Sequence, residues 1–267
     1  MSVSVSVSVA AIDRESVTAL FSSIAAELDA HYEARDRVIK ASRDITATSK
    51  KIIFALQRVK YAEVGRHKDQ GKKCIELPLK IASDIAGLEC KIKEAFHAVK
   101  DDLQGAGAWR YQRQISGAIQ EYIEALLFRG YLIDGLILSH EEVQKLIGHE
   151  FLVTDMDYIL GLLDTTGELM RFAITNLYDA GTSRVVQVSP ISRQICQLLQ
   201  TLRIHFSGLQ ITGTSSQSAS GEFMKKVNTL YNSVDKVEKA VYSFVVRGSE
   251  LPEGWTPGLA LDDNGVI

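Results

Sequence analysis

Two short stretches place carboxylates where a helix would ordinarily carry apolar side chains. QEYIEALLF (120–128) sets Glu121 and Glu124 three residues apart, so on a helix both leave one face. DYILGLLDTTGELMR (157–171) puts Asp157, Gly161, Asp164 and Glu168 into one narrow stripe, flanked by Ile159, Leu160, Leu162, Leu163, Leu169 and Met170. Gly161 and Gly167 each cost a helix about 1 kcal/mol against alanine, which suggests that the backbone needs room there for a close neighbour or a ligand. Gly117, one turn before Glu121, leaves open space beside it. Four converging carboxylates repel unless a cation sits among them or protons are taken up. Oxygen donors without histidine or cysteine suit Mg²⁺ or Mn²⁺ better than zinc. The plainer alternative is a set of solvated helix acids, with Glu168 paired to Arg171 at i, i+3.

Other chemistries are poorly supported. There is no GxSxG elbow and no HExxH, and the six histidines form no i, i+4 pair. GRHKDQGKK (65–73) is one residue too long for a phosphate-binding loop and has no Ser or Thr after its lysine. Its Arg66, Lys68, Lys72 and Lys73 are compatible with an RNA contact, a nuclear address or a plain solvated loop. A net charge of -3 gives no global field for nucleic acid, so any contact must be local. Arg110 and Arg113, about three turns before the two glutamates, are candidates for guiding a phosphate backbone, against a solvated or structural role.

The elements that must position these residues read as helices. The chain of 267 residues is 46% hydrophobic, and Pro78 is the one proline before Pro190. An apolar stripe over residues 15–62 (Leu20, Ile24, Leu28, Val38, Ile45, Ile52, Ile53, Leu56, Val59) predicts one very long helix. That stripe is longer than one small domain can cover, which predicts an interface. Further helices are expected at about 77–103, 109–136, from Ser139, 154–179, 190–208 and 222–247. Ser139 with Glu142 reads as a capping box, Thr154 as an N-cap, and Ser189–Pro190 as an N-cap followed by N1. TGTSSQSASG (212–221) reads as a linker, and no strand pair is evident. The expectation is all-α: a flexible leader (1–14), one seven-helix bundle-like domain (15–248) and a flexible tail (249–267). Cys74, Cys90 and Cys196 form no CxxC pair and suit a reducing compartment. No apolar run reaches the roughly 18 residues of a membrane span.

Four segments, taken together, resemble the translin-associated factor X branch of the translin family. They are SRDITATSKKIIFALQR (42–58), IQEYIEALLF (119–128), DYILGLLDTTGELMR (157–171) and VRGSELP (246–252), in that order. The resemblance implies a seven-helix fold that assembles with translin into a hollow hetero-oligomer, binding single-stranded RNA and DNA and cutting RNA. It implies that Glu121 and Glu124, in the EYxEA motif, and Asp164 and Glu168, in the DxTGE motif, are the catalytic acids and hold Mg²⁺ or Mn²⁺. All four positions are retained. The expected function is therefore the catalytic subunit of a Mg²⁺-dependent endoribonuclease acting with a translin homologue in cytoplasm and nucleus, in passenger-strand removal during RNA silencing or in transfer-RNA processing. The alternative is a non-catalytic binding or scaffold subunit whose acids form a structural salt network.

Overall fold

The first helix, α1 (Arg14–Gln57), runs 44 residues because nothing in it breaks a helix: it contains neither glycine nor proline. Its halves differ. From Ala34 onward the buried residues Ala34, Val38, Ala41, Ile45, Ser49, Ile52 and Leu56 recur at three- and four-residue steps and face the core. The first half, with Leu20, Phe21, Ile24, Leu28 and Tyr32, is exposed. The computed structural model describes residues 14–60, 77–179, 187–209 and 217–247. Apart from Arg14 and Lys60, the expected leader, the basic stretch 60–73 and the tail lie outside the described residues.

Among the described residues seven further α-helices follow: α2 (Leu79–Ala98), the single-turn α3 (Ala106–Arg110), α4 (Gln112–Asp134), α5 (His140–Ile147), α6 (Asp155–Thr175), α7 (Pro190–Ser207) and α8 (Gln217–Arg247). The seven expected helices are present, and α3 is the addition. It arises because the helix expected over 109–136 breaks at Tyr111, whose ring is buried and whose hydroxyl lies 3.1 Å from His31 Nδ1. At the start of α3 a Cβ on Gly107 would stand 2.1 Å from the Asp102 carbonyl oxygen, so only glycine permits the turn there.

The expected caps are all made. Ser139–Glu142 and Thr154–Asp157 are reciprocal capping boxes, and the Ser189 hydroxyl accepts from the Ser192 amide behind Pro190. Several extents differ from expectation: α1 ends at Gln57 rather than 62, and α2 at Ala98 rather than 103, with a separate 3-10 turn at Asp101–Leu103. α6 stops at Thr175, capped by Asn176, and α8 starts at Gln217, absorbing the end of the linker. A two-residue antiparallel ladder, Tyr178–Asp179 with Gln187–Val188, follows α6. Two residues per strand are too few for alternation to be visible in the sequence.

Packing is layered. α4 lies between α1 and α6, α2 packs on α1, and α7 and α8 cover the other side of α6. The core runs through all layers, with Phe128 and Phe172 in edge contact between α4 and α6 (ring centroids 6.0 Å apart). No helix among the described residues is long and apolar enough to cross a membrane.

Candidate active site

The acids owe their position to the α4–α6 seam. Asp157, at the first turn of α6, is 2% exposed and accepts from Gln112 Nε2 (2.7 Å), Gln120 Nε2 (3.0 Å), Thr154 Oγ1 (2.7 Å) and the Ser116 hydroxyl. These donors pin the start of α6 to α4 and satisfy a carboxylate that would otherwise be costly to bury. One turn on, a Cβ at Gly161 would lie 2.9 Å from the Gln120 carbonyl oxygen and 2.7 Å from Ile123 Cγ2. The helices can approach this closely only because residue 161 has no side chain. Gly167 and Gly117 face open space instead.

Beyond Gly161 the seam opens into a cavity of about 650 Å³. Glu121 and Glu124 of α4 and Asp164 and Glu168 of α6 line it, so one cavity gathers all four acids singled out by spacing. Lys50, Phe54 and Gln57 of α1, Arg171 of α6 and Lys226 of α8 complete the wall.

Three of the acids have partners within the chain. Lys226 Nζ lies 2.6 Å from Asp164 Oδ2, and Lys50 Nζ lies 3.8 Å from Glu121. Gln57 Nε2 donates to both the Glu168 carboxylate and its carbonyl, each at 2.8 Å, and Arg171 pairs with Glu168 at 3.0 Å. Glu124 has neither a hydrogen bond nor an ion pair among the described residues, although it is only 8% exposed.

Burial, with the neighbouring charges of Glu121, Asp164 and Glu168 added, pushes the Glu124 carboxyl up to about 8 against the partial relief from Lys226. Glu121 is raised by burial and by Asp164 and Glu168, with Lys50 pulling the other way. Burial also raises Asp164, opposed by its Lys226 hydrogen bond and charge. The relief for converging acids therefore takes two forms here: cations from the chain, and a proton retained by Glu124.

This donor set fits a hard divalent cation chemically. It consists of carboxylate oxygens in a half-closed cavity, one of them desolvated and without a partner. As the side chains stand, no three His, Cys, Asp or Glu groups among the described residues are arranged to hold an ion. Lys226 and Arg171 occupy carboxylates that a metal would need.

Arg110 and Arg113 are placed differently from the four acids. The break at Tyr111 puts Arg110 on α3, where its guanidinium hydrogen-bonds the His31 ring, and Arg113 is exposed on the first turn of α4. Neither lines the acid cavity. Lys226, Lys50 and Gln57 escaped the sequence reading. Lys50 and Gln57 stand seven residues apart on α1, a spacing that puts both on one face, whereas Lys226 carries no local signal at all.

A family model described as Translin family matches residues 33–248. The chain belongs to the translin family. Within that family it is 30% identical over 257 residues to Translin-associated protein X of Mus musculus, covering 87% of this chain and 80% of the relative. It is 31% identical over 219 residues to the Translin-associated protein X homolog of Schizosaccharomyces pombe, covering 82% and 84%. Translin of Gallus gallus is more distant, 21% identical over 239 residues. The translin-family fold is seen again in apo-NeC3PO (TM-score 0.58, 15% identity, 83% of this chain and 95% of that one). It recurs in the AfC3PO–duplex RNA complex (TM-score 0.51, 15% identity, 85% and 96%).

Proposed function

We propose that this translin-family chain is the carboxylate-bearing subunit of a Mg²⁺-dependent endoribonuclease that works in complex with a translin homologue on single-stranded RNA. The carrying observation is the cavity itself: four acids from two helices meet there, and the most buried of them, Glu124, has no partner among the described residues. Its carboxylate is largely buried and lines the cavity, so the cavity is where a partner from outside would reach it. Glu121, Glu124, Asp164 and Glu168 would hold Mg²⁺ or Mn²⁺, which when bound supplies Lewis-acid stabilisation of charge on a phosphoryl oxygen and a water acidic enough to attack it.

The chain's own residues supply the rest. Lys50 and Arg171 line the cavity with side chains 65% and 66% exposed, well placed to hold a phosphate backbone. They line the cavity, which Arg110 and Arg113, the weaker candidates for that guiding role, do not. Phe54, on the same wall and largely exposed, offers a face on which an unstacked base can sit, which favours single strands over duplex. The apolar, uncovered first half of α1 suits a protein partner. The relatives named Translin and Translin-associated protein X, and the solved complex of AfC3PO with duplex RNA, support a translin-type partner and an RNA ligand.

A second reading has its own observation. Three of the four acids are already paired by Lys226, Lys50, Gln57 and Arg171, as in a structural salt network of a non-catalytic scaffold. The chain co-purified with its translin homologue separates the two. The endoribonuclease reading expects cleavage of single-stranded RNA in Mg²⁺ or Mn²⁺ and little in Ca²⁺, whose larger radius relaxes the coordination geometry. RNA binding without cleavage in any of these ions leaves the scaffold.

A further inference from the structure

Lys226 stands apart from the other cations of the cavity. Its side chain is 19% exposed, and its Nζ sits 2.6 Å from Asp164 Oδ2, 3.4 Å from Gln120 Oε1 and 4.0 Å from Glu222 one turn back on α8. It reaches Asp164 from a separate helix, so the contact can be made or broken by the lysine side chain alone, without moving α4 or α6. The Gln120 amide is fixed for it: its Nε2 donates to Asp157 and to Ser116, which leaves Oε1 turned toward Lys226.

We propose that Lys226 is an exchangeable counter-cation that couples RNA binding to metal binding. Without RNA it holds Asp164 and keeps that carboxylate from a divalent ion. A backbone phosphate entering between Lys50 and Arg171 gives the ammonium a second anion. Once Lys226 leaves Asp164, the carboxylate is free for Mg²⁺. The residue type suits exchange, because an ammonium on a four-carbon stem is a point charge with rotating donors, whereas a guanidinium is fixed by its planar fork. Linkage makes the coupling reciprocal: RNA must tighten metal binding by the factor by which metal tightens RNA binding. Lys226 is in this sense a positioning residue, acting through Asp164. The inference rests on the metal-dependent reading above.

The experiment uses the intact complex with the translin homologue and follows free Mn²⁺ by electron paramagnetic resonance, with and without a 2′-O-methyl RNA oligonucleotide that resists cleavage. In the wild type the oligonucleotide tightens Mn²⁺ binding about tenfold, within the usual range of such couplings. Lys226→Met binds Mn²⁺ tightly without RNA and gains nothing when RNA is added. Lys226→Arg restores weak binding in the absence of RNA. Mn²⁺ affinity in Lys226→Met equal to or below that of the RNA-free wild type overturns the proposal. A parallel titration of Glu124→Gln identifies which idea has failed. If that variant loses Mn²⁺ while Lys226→Met behaves as wild type, only the exchange is wrong. Mn²⁺ binding that is indifferent to Glu124 removes the metal site, and the exchange with it.

Discussion

At one end of the α4–α6 seam Asp157 accepts hydrogen bonds from Gln112, Ser116, Gln120 and Thr154; toward the other end Glu124, also buried, accepts none from the described residues. Both are carboxylates on helices rich in apolar residues, and both are largely buried. The chain supplies donors for the acid that builds the fold. Among the described residues none donates to Glu124, and that acid keeps its proton instead. A carboxylate surrounded by donors is a joint, whereas a largely buried one beside three other acids, with a raised pKa and facing a cavity, has the marks of a functional group. Substitutions at the two ends should accordingly fail in opposite ways.

The largest effect is expected on chemistry. Glu124→Gln and Asp164→Asn in the assembled complex should each lower RNA cleavage by about 10³-fold, roughly 4 kcal/mol of transition-state stabilisation, with assembly and RNA binding intact. Single-turnover cleavage in Mg²⁺ measures this, and wild-type rates in either variant would end the metal-dependent reading. The other end of the seam should show the inverse. Asp157→Ala strands buried donors from Gln112, Ser116, Gln120 and Thr154, and should cost about 3 kcal/mol or more of stability by urea denaturation. A variant that melts as the wild type does would mean that Asp157 is no joint. Gly161→Ala, between the two ends, would force its new methyl against the Gln120 carbonyl and Ile123. It should cost about 1–3 kcal/mol and slow cleavage as well, because the acids on α4 and α6 would be pushed apart.

A pH titration sharpens the contrast. Glu124 has a folded-state pKa of about 8 against an ordinary 4.5, so between those values the folded chain keeps a proton that the unfolded chain has lost. Stability from this group is full below 4.5 and is lost as pH rises through about 8. In the metal-free complex Glu124→Gln should therefore be more stable than wild type at pH 8 to 9. The gap should close toward pH 4.5, at up to roughly 1.4 kcal/mol for each pH unit. Thermal melts in chelator across this range test it. A variant less stable than wild type at pH 8 would assign Glu124 to a structural pair after all.

The sequence made the acids legible and left the distinction between them hidden. Spacing of three and four residues on a helix is local information, and so are the capping box at Ser139 and the N-cap at Thr154; these could be read directly. Asp157 shares a stripe with Asp164 and Glu168, and its place three residues after the N-cap Thr154 is a local mark that separates it only in part. The separation comes from donors on α4, about 40 residues upstream in the chain. Lys226 is still less legible, since it reaches Asp164 across 62 residues of sequence. The break at Tyr111 was hidden because it depends on a buried ring and its contact with His31 on α1. It moved Arg110 off the helix that carries Glu121 and Glu124.

The smallest expected effect concerns Glu168, which lies between the two extremes. It has partners, as Asp157 does, but it lines the cavity, as Glu124 does. Its ion pair with Arg171 is 3.0 Å long, yet the arginine side chain is 66% exposed, so salt and water screen the attraction. Gln57 stays bonded to the Glu168 carboxylate and carbonyl whatever happens to Arg171. Arg171→Ala should therefore change stability by less than about 0.5 kcal/mol. If Arg171 instead serves an RNA phosphate, the same variant should weaken RNA binding and make the slope of log affinity against log salt shallower by about one. A large loss of stability with an unchanged salt slope would place Glu168 with Asp157 as a joint. An unchanged melt with a shallower slope would place it with Glu124, in the working part of the cavity.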